Sequence, residues 1–451
     1  MAIGALDEEA FVRVLQEHLR PSSPIESFEH LYGRERQLDQ IKQAMYSPGR
    51  HVFIYGDRGV GKTSLARTAA FQHHPSDGEP IAVACGTGTT FVSLMNDIIA
   101  NIAHHKGVAQ AKDTTKTSFG IKGASVERTV ERQTGRLPEV KDINTAIENL
   151  KLLTTNNDSR VVVIVDEFDQ LKASDDQQRF AEFIKQLGDQ TVKIAFIFCG
   201  IGKSLDDLLA AHASSYRYLE GIELPRLHWS GRWEIIDRSS AALELKINED
   251  SRFRIAAISD GFPHYIHLIC EKLYWHLFSI NEKVALATPN HFVQAIRDTC
   301  YSIESHLRLA YEKATMKDND VYEEVLWALA DHFELKRSID AIYRSYERIM
   351  GERGKSPLNR TKFVSRLNNL KSPRHGDILR SDRRSWYEFR ESMVRGYVRL
   401  RAEEKGVRLA LEHEPSPEPT RLTVGKTRQQ PTGVIPRPQL GGDPYKSFGK
   451  E

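Results

Sequence analysis

Apolar residues at Phe11, Val14, Leu15 and Leu19 recur at helical spacing, and Pro21 with Pro24 ends that first segment. From His51 to Leu227 the pattern changes to short apolar runs separated by longer amphipathic stretches. The runs are His51–Tyr55, Ile81–Cys85, Val161–Val165, Ile194–Cys199 and Leu219–Leu224. Strand-like runs alternating with helix-length segments predict βαβ units, hence an α/β fold with a mostly parallel sheet covered on both faces. The alternation lapses between His105 and Val140, where the chain is polar and irregular. Within it Ser118–Val130 partly alternates apolar and polar residues, which predicts an inserted β-hairpin or a flexible excursion. From Trp229 to Ala314 the pattern is helical, with predicted helices at Arg254–Ser259, His264–Phe278 and Asn290–Ala314.

Beyond Asp318, Tyr322, Val325, Leu326, Leu329 and Phe333 make one helical face, and Ile339, Ile342 and Ile349 belong to a second helix. Phe363, Leu367 and Leu370 give a third apolar stripe. Ile378–Arg380 and Trp386–Phe389, joined through Asp382-Arg383-Arg384, follow as a hairpin. Helices followed by a hairpin read as a winged helix. Residues 409–451 carry Pro, Gly and Ser with little apolar content and no periodicity, which predicts a disordered tail.

Composition narrows the class. The 451 residues hold 63 Lys plus Arg against 61 Asp plus Glu, so the formal net charge is +2 and gives no sign of a polyanion partner. Cys85, Cys199, Cys270 and Cys300 lie far apart without a Cys-x-x-Cys pair. A disulfide framework and a standard zinc site are therefore not expected, and the composition suits the cytoplasm. His73-His74 and His104-His105 have no acidic or Cys ligands at helical spacing, so no metal is expected there. No apolar run approaches the roughly 18 residues that span a bilayer, and the acidic start at Leu6–Ala10 does not read as a signal peptide. No membrane contact is expected.

The near-neutral average hides one concentration of charge. Between Arg353 and Arg384 ten basic residues face only Asp377 and Asp382, a local balance of +8. They fall on the third helix and the hairpin, the parts that enter the major groove and touch phosphates in helix-turn-helix proteins. Arg360, Lys362, Arg366, Arg383 and Arg384 are the candidate contacts to duplex DNA. A surface for a protein partner, an autoinhibitory contact and a merely solvated face are the alternatives.

The clearest chemistry lies after the first strand. Gly56-Asp57-Arg58-Gly59-Val60-Gly61-Lys62-Thr63, followed by Ser64, fits G-x-x-x-x-G-K-[ST] between an apolar strand and a helix. Glycines let backbone N–H groups turn inward around phosphate oxygens, and the helix start adds partial positive charge. Lys62 is placed to bridge the β- and γ-phosphates of ATP, and the Thr63 hydroxyl to ligate Mg²⁺. A second buried strand, Val161–Val165, ends in Asp166-Glu167. Asp166 would hold the metal through water and Glu167 would orient the attacking water, a pairing that argues for hydrolysis rather than binding alone.

These motifs resemble those of AAA+ ATPases, in the branch of origin-recognition initiators and signal-transduction (STAND) ATPases. Leu31-Tyr32-Gly33-Arg34-Glu35 resembles the box that packs near adenine in those families, which implies nucleotide contacts for Gly33 and Arg34. Ile194–Gly202 occupies the sensor-1 place, with Cys199-Gly200 where Asn, Ser or Thr is usual. Arg217, just before the fifth strand, resembles the arginine finger that completes a neighbouring subunit's site, with Arg226 as a second candidate. Gly261-Phe262-Pro263-His264 resembles the STAND Gly-x-Pro, with His264 where initiators carry a sensor-2 arginine. Pro263 would then contact nucleotide, and the missing arginine favours a slow switch over a fast motor.

The resemblance divides the chain into an N-terminal helix and linker (1–28), a P-loop ATPase core (29–228, insertion 106–140), a helical lid (229–316), a winged-helix domain (317–408) and the tail. It implies an ATPase that forms homo-oligomers and controls DNA engagement through its basic winged helix. The alternative is a STAND-like signalling or phage-defence (antiviral) ATPase whose winged helix contacts an effector protein.

Overall fold

In the computed structural model the five apolar runs are five parallel strands: β1 (His51–Tyr55), β2 (Ile81–Ala84), β3 (Val161–Asp166), β4 (Ile194–Gly200) and β5 (Leu219–Glu223). Their order across the sheet is β2-β3-β4-β1-β5. The residues described are 3–21, 23–25, 30–74, 79–106, 137–155, 160–190, 192–211, 217–280, 284–316, 319–381 and 385–409. Most of the expected insertion at 106–140, the tail from 410 on, and Arg383 and Arg384 lie outside them.

Successive strand residues point to opposite faces, and the sequence loads the two faces differently. Phe53, Phe196 and Phe198 point to one side, where they meet Phe168, Phe180 and Phe183 in a network of edge-on and stacked rings. Val52, Ile54, Val162, Ile164, Ala195 and Ile197 point to the other, into a core that continues into the following domains. Aliphatic runs without alternation are what a strand buried on both faces requires.

Among the described residues seven helices precede or accompany these strands: α1 (Glu8–His18), α2 (Glu35–Tyr46), α3 (Lys62–His73), α4 (Phe91–His105), α5 (Ile143–Thr154), α6 (Ser174–Asp189) and α7 (Gly202–Ala211). Asp7 caps α1 by accepting from the Ala10 N–H at 2.8 Å.

The next segment holds α8 (Trp229–Ala242), α9 (Glu249–Ile258), α10 (Pro263–Ser279), α11 (Pro289–Ser302) and α12 (Ser305–Thr315). A short parallel pair, β6 (Lys246–Ile247) and β7 (Leu286–Ala287), ties it together. Phe11 of α1 packs on this segment, stacked on Phe278 at 4.3 Å and edge-on to Trp275. The single helix expected over Asn290–Ala314 is two. The chain turns extended at Ile303 (ψ 152°) and Glu304 (ψ 130°) before α12 begins.

The last described segment contains α13 (Asn319–Ala330), β8 (Arg337–Ser338), α14 (Ile339–Glu352), α15 (Arg360–Asn369), β9 (Leu379–Arg380), β10 (Trp386–Phe389) and α16 (Ser392–Glu404). Its strands form an antiparallel sheet in the order β8-β10-β9. Phe333 lies beyond the end of α13 rather than on its face. Among the described residues no helix is long and apolar enough to cross a membrane.

Candidate functional site

The loop between β1 and α3 is shaped by where its glycines sit. Gly59 is left-handed (φ 81°), and a Cβ there would come within 2.3 Å of Met393 Sδ. Gly61, also left-handed (φ 98°), caps α3 without any side-chain cap, so the first N–H groups of the helix face the site. Lys62 folds back across the loop and donates from Nζ to the carbonyls of Gly56 (3.0 Å) and Asp57 (2.9 Å). Burial draws the Lys62 ammonium below its usual range, while Cys199, Asp169, Asp166 and Asp57 oppose the shift. Behind the loop, buried Arg34 donates to the Val60 carbonyl at 3.0 Å. Burial lowers its pKa to about 10 against the pull of Glu35. Gly33 lies against Gly231 of α8; a Cβ there would stand 3.1 Å from the Gly231 Cα. Gly33 and Arg34 therefore join loop to helical segment.

Strand β4 lies between β1 and β3, which spaces the acidic end of β3 across from the loop. Thr63 Oγ1 donates to Asp166 Oδ2 at 2.7 Å, and Asp166 Oδ1 accepts from the Glu167 N–H at 2.8 Å. Glu167 holds the left-handed backbone (φ 52°), which is uncommon for a residue with a side chain and turns its exposed carboxylate along the cavity wall. At the end of β4 the Cys199 thiol points at the Lys62 carbonyl (3.8 Å). Burial drives its pKa well up, with Asp166 adding to the shift, so it stays protonated. The Thr63 hydroxyl and Asp166 carboxylate are hard oxygen donors converging on one point, and this pair fits Mg²⁺. Among the described residues no group of three His, Cys, Asp or Glu side chains could hold a metal ion by itself.

All of this opens on a cavity of about 650 Å³, whose lining includes Arg34, Arg58 to Ser64, Asp166, Glu167 and Pro263. Pro263 is the first residue of α10. His264 Nδ1 donates to the Pro21 carbonyl at 2.9 Å, so this side chain is tied to the N-terminal linker rather than to the phosphate loop. Glu304, at the break between α11 and α12, and Met393, on α16, also line the cavity. Neither was legible in the sequence, since no local motif surrounds them. Arg217 is exposed just ahead of β5 and is not among the residues that line the cavity. Arg226 pairs with buried Asp260 at 2.6 Å and donates to the Phe333 carbonyl at 3.2 Å, which commits it inside its own chain.

The eight described residues of the ten basic ones in the C-terminal segment are distributed quite differently from their sequence count. Arg353 and Lys355 both bind buried Glu324 (2.7 and 2.8 Å), Arg360 pairs with Asp340, and Arg380 with Glu388 at 3.0 Å. Arg366 lies over the Tyr322 ring and donates to its hydroxyl at 3.1 Å, and Lys371 lies over Tyr387. Lys362 and Arg374 are exposed. Acids outside the counted window thus neutralise part of the +8.

Residues 30–197 match the family model described as an AAA ATPase domain. Among solved structures, the chain is similar to the Walker-type ATPase PABY2304 of Pyrococcus abyssi, at 16% identity and a TM-score of 0.50, covering 84% of this chain and 99% of that one. Cdc6p of Pyrobaculum aerophilum aligns at 17% identity and a TM-score of 0.43, over 88% and 99% of the two chains. The Aeropyrum pernix ORC2 protein aligns at 14% and 0.45, over 87% and 98%. No curated protein matches the chain. The fold is the P-loop AAA+ fold, with a parallel central sheet.

Proposed function

We propose that this protein is an ATP-driven switch that binds Mg-ATP, hydrolyses it slowly, and couples the nucleotide to the arrangement of core, lid and a C-terminal winged helix. The observation that carries the proposal is the convergence of Lys62, Thr63, Asp166 and Glu167 on one cavity that α10 and α16 also border. The loop N–H groups and Lys62 hold the β- and γ-phosphates; Lys62 exchanges its two loop carbonyls for phosphate oxygens. Glu167 orients the attacking water in line with the leaving oxygen and accepts its proton. Mg²⁺, held by Thr63 and Asp166, would supply charge neutralisation on the phosphates. Turnover is slow because a protonated thiol and a linker-bound imidazole stand where polar and cationic sensors act in faster ATPases. Arg217, exposed ahead of β5, would reach a neighbouring copy's nucleotide in a homo-oligomer.

In the principal reading the switch governs duplex DNA binding, through Lys362, Arg366, Arg383 and Arg384. A second reading, a signalling or phage-defence switch that engages a protein partner, is favoured by the ion pairs that occupy Arg353, Lys355, Arg360 and Arg380. Steady-state ATP hydrolysis with and without duplex DNA, at low and moderate salt, separates them. Stimulation that fades as salt rises supports DNA. Basal turnover indifferent to DNA moves the assignment to a protein partner, and no turnover at any condition overturns the ATPase.

A further inference from the structure

Three histidines are buried among the described residues: His51, His267 and His375. Two are satisfied by backbone, since His51 Nδ1 accepts from the Phe196 N–H at 3.1 Å and His375 Nδ1 donates to the Ala314 carbonyl at 3.0 Å. His267 differs. It is 2% exposed, and neither Nδ1 nor Nε2 has a hydrogen-bond partner. An imidazole left that way in a core is costlier than the leucine that could replace it, because both polar atoms are desolvated without return.

His267 is not simply in a core, however; it lines the cavity. It follows Pro263 by one turn of α10, on the same face as Pro263 and His264. That face borders the cavity beside the N-terminal linker residues Pro21 and Ile25. The linker, tied to α3 where the Ile25 N–H donates to Ser64 Oγ (3.1 Å) and to α10 where His264 donates to Pro21, borders the cavity. Ile25, Leu31, Leu227, Ile235 and Pro263 give it apolar walls. A nucleotide with its phosphates on Lys62 would set its base among these apolar residues, with its polar edge needing partners.

We infer that His267 is a nucleobase contact, whose imidazole accepts a hydrogen bond from the exocyclic amino group of a bound adenine. Burial first, and His264 second, bring its pKa down to about 4, so at neutral pH one ring nitrogen keeps the lone pair such a contact requires. No protein group fixes which nitrogen carries the proton, so the ligand selects the tautomer. The inference rests on the reading that this cavity binds ATP.

The test is equilibrium binding of ATP and of purine riboside triphosphate, which lacks the amino group, to the wild type, His267→Leu and His267→Gln, with melting curves as a check on folding. The wild type is expected to prefer ATP about tenfold. His267→Leu is expected to bring the two ligands level by weakening ATP alone, and His267→Gln, which keeps an acceptor, to retain a preference for ATP. An unchanged preference in His267→Leu overturns the inference. So does a wild type that binds both ligands equally, a result that needs no variant to fold. A wild type that binds neither nucleotide overturns the proposed function instead, so the two failures are distinct.

Discussion

In the proposed mechanism Lys62 and Glu167 carry separable parts of the chemistry, and their substitution separates them. Lys62→Ala removes the ammonium that, in the proposed mechanism, exchanges its two carbonyl bonds for phosphate oxygens. ATP affinity is expected to fall at least about 100-fold, roughly 3 kcal/mol, in a direct binding titration. Glu167→Gln keeps shape and loses the base, so single-turnover hydrolysis should drop by about 100-fold or more while ATP stays bound. Hydrolysis at the wild-type rate in that variant would remove Glu167 from the mechanism. His51 makes a different prediction. Burial, and then Arg160, hold its pKa near 3, far below the unfolded value of about 6.5. The folded protein cannot take up the proton that the unfolded chain accepts, so stability is complete above about pH 6.5 and is lost as pH falls toward 3. Denaturation midpoints at pH 7.5 and 5 should show that loss, and His51→Gln should shrink it.

At the scale of elements, what was legible in the sequence was contiguous. The phosphate loop, the aliphatic run into Asp166-Glu167 and the five strands are each written within a few neighbouring residues, and local chemistry dictates them. The β6–β7 pair went unread because two-residue strands exist only through their partner. The break at Ile303 and Glu304 was hidden because apolar spacing continues through it into α12. The basic segment failed in the opposite sense. Its charge count was correct, but Glu324, Asp340 and Glu388 lie outside the counted window and reach Arg353, Lys355, Arg360 and Arg380 only after folding. Substituting Lys362 with Ala is therefore expected to weaken duplex DNA binding and reduce its salt slope by about one ion, whereas Arg360→Ala should do less. An equal loss from both would mean that the Asp340 pair opens on DNA.

For the whole molecule one buried carboxylate joins three segments. Asp260, just ahead of Gly261-Phe262-Pro263, pairs with Arg226 of the core at 2.6 Å and with Arg395 and Arg399 of α16 at 3.1 and 3.0 Å. Burial alone would raise its pKa, but Arg395, Arg399 and Arg226 outweigh it and hold the carboxyl below its usual range. The same arginines donate to carbonyls at and just beyond the end of α13, including Ala330 and His332, where the helix presents partial negative charge. Asp260→Asn would leave buried cations uncompensated, at a cost of about 3–5 kcal/mol in chemical denaturation. A change within 1 kcal/mol would show that the carbonyls suffice.

Met393 gives α16 a second role. Its thioether rests on Gly59, inside the loop proposed to hold phosphate, and its carbonyl accepts from the Tyr265 hydroxyl at 2.6 Å. Loop and helix therefore share a boundary that a nucleotide must either keep or break. Thermodynamic reciprocity then sets a rule independent of direction: the factor by which nucleotide alters the docking of α16 equals the factor by which anything bound to the C-terminal segment alters nucleotide affinity. A macromolecule that grips this segment far from the cavity would register as a change in the ATP dissociation constant, and ATP would return the same change to it.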